Sequence, residues 1–552
     1  MKNISIGIED FSTLITSGSE YVDKTKFIQE VIKLSPSTIA LYTRPRRFGK
    51  SLMISTLYYF FDITKDFKDL FKGLAISKDK ECFSKINSYP VLRLNMKSLI
   101  QTNFDDCLEK YRLLIQNVYQ TTFTEDDIKN FDKNEQAYIN KIISNQASKI
   151  ELTLSIRYMT IYLRKKYNKK VILLIDEYDA PIQSGFDNDY YDEQINFYKD
   201  LYGEALKGNE ENIEKGILTG VSEVAQASIF SGINNIKIPR LLNNNEEYFG
   251  FTLEEVKSLC LEHQIDFDQD KIQKWYGGYR FAKEDAFNPW SILNFIDQEG
   301  FYDYYWTNTT EGAALSQYIP YLDEETLNNL LNDEYVEVMV SKSINYKNIN
   351  AFSDLSSLLI RSGYLSVIGK SKISENYQVG ITNKEMKQAF RNAIYRYYHG
   401  DMTISIVNSL YQALINEDEN KISDCISDYL LSTFSYYDLD DEKNYQIILL
   451  CLTSMFNNEF LVKSEVESGF GRCDILIKSK YDKKLGIIIE CKHFNDERPS
   501  ASRFESYARS AINQALTHKY KEALIEEDYK RIIIYGIAFN KKSAKAIKHV
   551  IR

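Results

Sequence analysis

The chain reads as an α/β protein, and three observations predict that class. An apolar strand-like run, Thr38 to Tyr42, passes through a short basic loop into an apolar helix-like run, Leu52 to Phe61. A second apolar run, Val171 to Ile175, is unbroken and ends in Asp176 and Glu177. Continuous apolar strands suit a parallel sheet covered on both faces, where side chains of either parity are buried. Near the C-terminus, Phe470 to Ile477 and Leu485 to Lys492 read as the two arms of an acid-bearing hairpin.

Taken in order, Asp23 is placed to N-cap a helix running to about Leu34. The loop Arg44-Pro-Arg-Arg-Phe-Gly-Lys-Ser51 follows the first strand and ends in the Gly-Lys-Ser of a phosphate loop. Such a loop turns backbone N–H groups and a helix dipole towards an anion. Lys50 is expected to reach the β- and γ-phosphates of ATP, and the Ser51 hydroxyl to sit on Mg²⁺. Arg47, Phe48, Gly49 and Leu52 complete the expected cofactor contacts. Glycine usually opens the pattern, but Arg44 stands there. Pro45 fixes its own φ and biases Arg44 towards extended geometry, which replaces that glycine.

Val91 to Met96 reads as a strand after Pro90, and Ser155 to Tyr167 as the helix feeding the run at Val171. Acids at the C-terminal end of a buried parallel strand lie where open sheets bind ligands. Asp176 is then expected to hold the Mg²⁺ water shell and Glu177 to polarise the attacking water. A solvated strand end can look the same, and the phosphate loop upstream decides between them. Gly216 to Val221 reads as a further strand whose Thr219 and Ser222 face the γ-phosphate or simply cap the turn.

With 552 residues, a prior of about 150 residues per domain allows three or four. Composition divides the chain at 1–250, 251–437 and 438–552. The middle section opens with the aromatic turn Trp275 to Phe281, a lid or small helical domain. From Tyr321 to Tyr437 it has no proline and shows amphipathic spacing, as in Val407, Leu410, Tyr411 and Leu414, so a helical region is expected. An acidic boundary, Asp438 to Glu442, closes it.

Formal net charge is −10, yet Asp441 to Arg552 holds 20 Lys and Arg against 15 Asp and Glu. Contact with a polyanion is therefore expected from the C-terminal part. The seven cysteines form no CxxC pair, which argues against structural zinc and a disulfide framework. No run approaches the roughly 18 apolar residues that span a bilayer, and Met1 to Phe11 has no apolar leader. A cytoplasmic protein without membrane contact is expected.

In the C-terminal hairpin, alternation puts Glu490 and Lys492 on one face and Cys491 on the other. Asp474 on the neighbouring strand can meet them. Two carboxylates held together take a hard divalent cation, which offsets their repulsion. A lysine beside them can orient a metal-bound water for phosphodiester hydrolysis. A helix from Tyr445 to Phe456, with Glu442 near its start, precedes the hairpin. Another, Arg503 to Tyr520, follows it and carries Gln514. A strongly apolar strand, Arg531 to Phe539, comes next.

These stretches together resemble a bacterial family that joins an AAA-ATPase-like domain to a C-terminal PD-(D/E)XK nuclease-superfamily domain. The resemblance is carried by YVDKT at 21–25, RPRRFGKS at 44–51, LLIDEYDAPI at 173–182, SIFSGINNI at 228–236 and FGFT at 249–252. WYGGYRF at 275–281, NPWSIL at 288–293, SGYL at 362–365, ESGFGRCDILI at 467–477, IIECK at 488–492 and YGIAF at 535–539 continue it. It implies a P-loop ATPase domain with a parallel sheet, a helical middle region and a restriction-endonuclease-like α/β/α domain.

It also implies roles. Gly49, Lys50 and Ser51 contact ATP, and Asp176 and Glu177 are the Mg²⁺ and hydrolysis acids. Asp474, Glu490 and Lys492 form the nuclease site, with Asp474 and Glu490 on Mg²⁺ or Mn²⁺ and with Gln514 and Glu442 beside them. Glu223 and Gln226 stand where basic residues are common, which favours binding ATP over hydrolysing it. An ATP-controlled, metal-dependent nuclease acting on DNA is the expected activity. The alternative is a nucleotide switch whose nuclease-like domain binds nucleic acid or protein without cleavage. Relatives of such ATPases form rings or dimers, so a homo-oligomer is compatible with the resemblance.

Overall fold

A computed structural model describes residues 2–223, 229–230, 233, 235–237, 248–280, 285–307, 310–340, 352–372, 374–399, 404–433, 441–454, 456, 460–468, 471–480 and 483–551. Gln226, residues 438–440 of the acidic boundary and residues 481–482 of the C-terminal hairpin turn lie outside them. The chain forms two compact units. One comprises Met1–Asn308 and Glu337–Met386, the other Thr309–Val336 and Lys387–Arg552.

The first unit is built on a five-stranded parallel sheet of order β2-β3-β4-β1-β5. Its strands are β1 (Thr38–Thr43), β2 (Val91–Asn95), β3 (Val171–Asp176), β4 (Ile213–Gly220) and β5 (Ile236–Lys237). Every residue of β3 is buried, as an unbroken apolar run in a central strand requires. Helix Lys50–Phe61 packs one face through Met53, Ile54, Leu57 and Phe60 against Ala40, Tyr42, Ile172, Leu174 and Ile217. The ends of β1, β3 and β4 therefore lie side by side, which is what builds the site.

Asp23 does not cap the helix that follows it, which spans Phe27–Lys33 with Lys26 at the N-cap. Its carboxylate accepts from Thr25 N and Oγ1 and, across the chain, from Ala75 N at 2.6 Å. Competition from that distant amide explains the difference: the side chain ties two segments together instead of closing a helix end.

After the sheet, helices Leu253–Glu262, Gln269–Tyr276 and Pro289–Asp297 enclose their own core around Val256, Leu259, Ile272, Tyr276, Ile292 and Phe295. Two two-residue strands, β6 (Tyr279–Arg280) and β7 (Asp285–Ala286), pair beside it. The middle of the chain is helical, as expected, but it also carries a small sheet. Its strands are β8 (Val336–Val338), β9 (Leu365–Lys370) and β10 (Tyr377–Ile381), the last two antiparallel. Alternation over Leu365 to Val367 is too short to compete with the helical spacing on either side.

The second unit holds a mixed sheet of order β11-β12-β13-β14-β15. Its strands are β11 (Phe460–Ser468), β12 (Gly471–Ser479), β13 (Leu485–His493), β14 (Arg531–Asn540) and β15 (Ser543–Val550), with β13 and β14 parallel. Helices Ile404–Ile415, Glu419–Thr433 and Glu442–Ser454 cover Ile475, Ile477, Ile487, Ile489, Ile533 and Tyr535 on one face. Helices Ala501–Thr517 and Glu522–Glu526 cover Leu476, Ile488, Ile532 and Ile534 on the other. This is the expected α/β/α sandwich.

Helix Ala501–Thr517 approaches β14 closely at Gly536, where an added Cβ would lie 2.1 Å from the Ala508 carbonyl oxygen. Backbone cannot yield there, so Gly536→Ala should lift the helix and cost about 1–3 kcal/mol or more. A thermal melt would show the loss, and an unchanged midpoint would contradict this packing.

Candidate functional sites

The first site lies where β1, β3 and β4 end. Six residues join β1 to the helix that begins at Lys50, with Gly49 as N-cap in the left-handed region at φ 79°. Arg47, also left-handed at φ 69°, makes the tight part of the turn. Phe48 turns away from the loop, buried against Tyr279 at a centroid distance of 4.9 Å, while its carbonyl accepts from Gly250 N. Leu52 packs partly into the core beneath the sheet.

Lys50 is buried and donates to the carbonyls of Arg44 and Pro45, both at 3.1 Å, with Glu177 Oε1 at 3.5 Å. The ammonium is thus held inside the loop by weak acceptors, available to a stronger one. Glu177 itself is left-handed at φ 54°. Non-glycine residues held there cost energy and concentrate at functional sites.

Asp176 is buried, and its Oδ1 accepts from Thr219 Oγ1 at 2.6 Å. Among the described residues, its buried Oδ2 has no hydrogen-bond partner. Burial and then the Glu177 charge raise its pKa, while the Ser51 hydroxyl, Thr219 and Lys50 work the other way. An orphaned carboxylate oxygen beside a serine hydroxyl fits a Mg²⁺ ion. Asp176 and Ser51 would hold it, and bound there it would neutralise charge on a phosphate.

Two members of this site escaped sequence reasoning. Asp179 accepts from Val221 N and from both Ser222 N and Ser222 Oγ at 2.6 Å, which locks the end of β4 to the turn after β3. Burial raises its pKa, and Glu177 adds to the rise. The only local sign was a third acid, three positions after Asp176. Ser222 is thereby committed to Asp179 and Thr219 to Asp176.

Arg361 is the other. It ends helix Phe352–Arg361, is buried, pairs with Glu223 Oε2 at 2.6 Å and donates to Thr43 Oγ1 at 3.2 Å. Glu223 thus stands next to a cation that arrives from far along the chain. Arg44 is buried nearby, its pKa pulled down to about 9 by burial and then by Arg361. No local signal links position 361 to position 43.

The second site lies in the C-terminal sandwich, where β12 and β13 part. Their ladder stops at Ile475↔Ile489, though both strands continue. In the wedge beyond, Asp474 Oδ2 accepts from Cys491 N at 2.7 Å, and Asp474 N approaches Glu490 Oε2 at 3.4 Å. Gln514, on helix Ala501–Thr517, donates its amide to Glu490 Oε1. Glu490 is fully buried and Asp474 half-buried. Both carboxyls lie above the ordinary range: burial is the largest cause for each, and the Asp474 charge adds to the rise at Glu490.

Lys492 donates to Glu442 Oε1 at 3.1 Å, and His493 N to Glu442 Oε2 at 3.1 Å. The structure therefore brings Asp474, Glu490 and Gln514 together and links Lys492 to Glu442 at the same strand end. Cys491 lies on the opposite face, in the helical core, as alternation requires. Among the described residues, no three His, Cys, Asp or Glu side chains gather tightly enough to cage an ion. Two oxygen-donor carboxylates suit Mg²⁺, which keeps waters and takes substrate phosphate oxygens for its remaining positions. Asp474 and Glu490 would hold it, and it would activate a water while neutralising phosphate charge.

Residues 5–230 match the family described as predicted AAA-ATPase, and residues 440–549 match the PD-(D/E)XK nuclease superfamily. A protein of Azotobacter chroococcum mcd 1, described as an uncharacterized protein in the vnfD 5'region, is 26% identical over 402 residues. That match covers 71% of this chain and 70% of the relative. Among the described residues, no helix is long and apolar enough to cross a membrane.

Proposed function

We propose that this chain, which joins an AAA-ATPase-like domain to a PD-(D/E)XK nuclease-superfamily domain, is an ATP-controlled, metal-dependent nuclease acting on DNA. The observation that carries the reading is the pairing of Asp474 with Glu490 in the wedge between β12 and β13, fixed by Cys491 N and Gln514. Leaving two acids mutually repelled in a buried place costs stability, and a divalent cation removes that cost. The basic bias of residues 441–552 favours a polyanionic substrate.

At the other site Lys50 would exchange its carbonyl partners for the β- and γ-phosphates of ATP, Asp176 and Ser51 would hold Mg²⁺, and Glu177 would orient the attacking water. Arg361 supplies the cation that Glu223 and Gln226 lack, so charge on a transferring phosphate has a guanidinium to meet.

A second reading draws on the Lys492–Glu442 pair, which engages the lysine of the nuclease motif. In it the domain binds DNA and does not cut, and ATP alone is the switch. Incubation of plasmid and single-stranded DNA with Mg²⁺ or Mn²⁺, with and without ATP, separates the two. Cleavage by wild type that disappears in Asp474→Ala supports the nuclease. No cleavage by wild type, with DNA affinity surviving Glu490→Ala, supports the switch.

A further inference from the structure

Trp290 sits at the first turn of helix Pro289–Asp297, where its backbone N–H is capped by Asn288 Oδ1 at 2.9 Å. Its indole Nε1 donates to the Tyr305 carbonyl at 3.3 Å, which sets the plane of the ring. Its neighbours Ile292 and Leu293 enter the core of the small helical subdomain, whereas Trp290 is half-buried and outside that cluster.

Two segments converge on it, one of them the phosphate loop. The guanidinium of Arg47, from the left-handed turn of the phosphate loop, lies 4.2 Å from the ring centroid. Gly7, at φ 84°, lies beside the ring edge, where an added Cβ would be in ordinary contact with Cζ3 at 3.5 Å. Neither contact is needed to cradle phosphate. Arg47 belongs to the same loop as Gly49, Lys50 and Ser51, so the aromatic surface it covers adjoins the place where a nucleotide's phosphates would lie.

We propose that Trp290 is the nucleobase platform of the site, and that Arg47 rests on it until a nucleotide takes its place. The inference rests on reading the loop as a nucleotide cradle. Every base has a π-face, so indole stacking binds an aromatic base without hydrogen-bond readout. The displaced guanidinium keeps its charge and its planar fork, and both suit a phosphate. The ligand class is a nucleoside triphosphate recognised at both ends, base on Trp290 and phosphates on Lys50.

The test uses the full-length chain with Trp275→Phe and Trp306→Phe, which leaves Trp290 the sole tryptophan of the three. Titration with MgATP should change its fluorescence in a way that magnesium tripolyphosphate, which has no base and can at most draw Arg47 off the ring, does not reproduce. In the natural background, Trp290→Ala should weaken MgATP binding by about tenfold or more and leave tripolyphosphate affinity unchanged. Trp290→Phe, which keeps a ring face and guards against loss of fold, should recover most of the affinity. Equal MgATP affinity in wild type and Trp290→Ala overturns the inference, as does an equal loss for both probes. If wild type binds neither probe, the nucleotide reading itself has failed, and this platform falls with it.

Discussion

Glu490→Gln removes metal-dependent cleavage and does not weaken the metal-free fold: this is the expected result at the second site. A metal contributes several kcal/mol of charge stabilisation to a phosphodiester transition state. If Asp474 and Glu490 hold that metal as proposed, loss of one of them should slow cleavage by at least about a thousandfold. The variant's stability carries independent information. In the metal-free protein Glu490 is buried beside Asp474 and accepts from both Asp474 N and Gln514; a neutral amide removes the repulsion and keeps one of those two hydrogen bonds, and the relief of charge outweighs the loss of the longer one.

The sign of the pH effect follows from the raised carboxyls. Where the folded-state pKa lies above the unfolded one, the folded chain holds the extra proton and stability falls as pH rises between the two titrations. For Glu490 that window runs from its ordinary value of 4.5 to about 8. The metal-free wild type should melt progressively lower from pH 5 to pH 8, and Mg²⁺ should restore more stability at pH 8 than at pH 6. Glu490→Gln should flatten the profile. Scanning calorimetry with and without Mg²⁺ checks this, and a flat wild-type profile would count against a coupled pair of acids.

Lys50→Ala is the second large effect. Its ammonium is buried, with two carbonyls at 3.1 Å and Glu177 at 3.5 Å as its polar partners. Each charge-assisted hydrogen bond it makes to phosphate is worth about 1.5–3 kcal/mol, so two of them imply at least about a hundredfold loss of ATP affinity. Equilibrium dialysis with labelled ATP measures it, and a melt confirms that the variant is folded. Wild-type affinity in Lys50→Ala would mean that the loop is not a triphosphate cradle.

Much of this was legible in the chain itself. The strand Thr38–Thr43, the loop to Lys50 and the helix Lys50–Phe61 form a local unit, and β3 showed itself as an unbroken apolar run. Asp474 and Glu490 were legible because strand alternation and the pairing of β12 with β13 bring them together, whereas Lys492 is engaged by Glu442. Other features were hidden for a common reason. Asp23 gave a capping signal that a distant amide at Ala75 overrode. The strands β9 and β10 were masked by the helical spacing around them. Asp179 differs from an ordinary loop acid only once Val221 and Ser222 are seen to donate to it.

The amino-acid order alone determined the strand–loop–helix around Lys50, the strands that begin at Val91, Val171, Leu485 and Arg531, and which short motifs carry phosphate chemistry, because hydrophobic period and turn residues act over a few positions. The tertiary structure decided which side chains complete those motifs. Arg361 reaches Thr43 across 318 positions, Gln514 reaches Glu490 across 24, and Trp290 lies under Arg47. Such partners are chosen by the packing of whole elements against one another, and no local pattern encodes that.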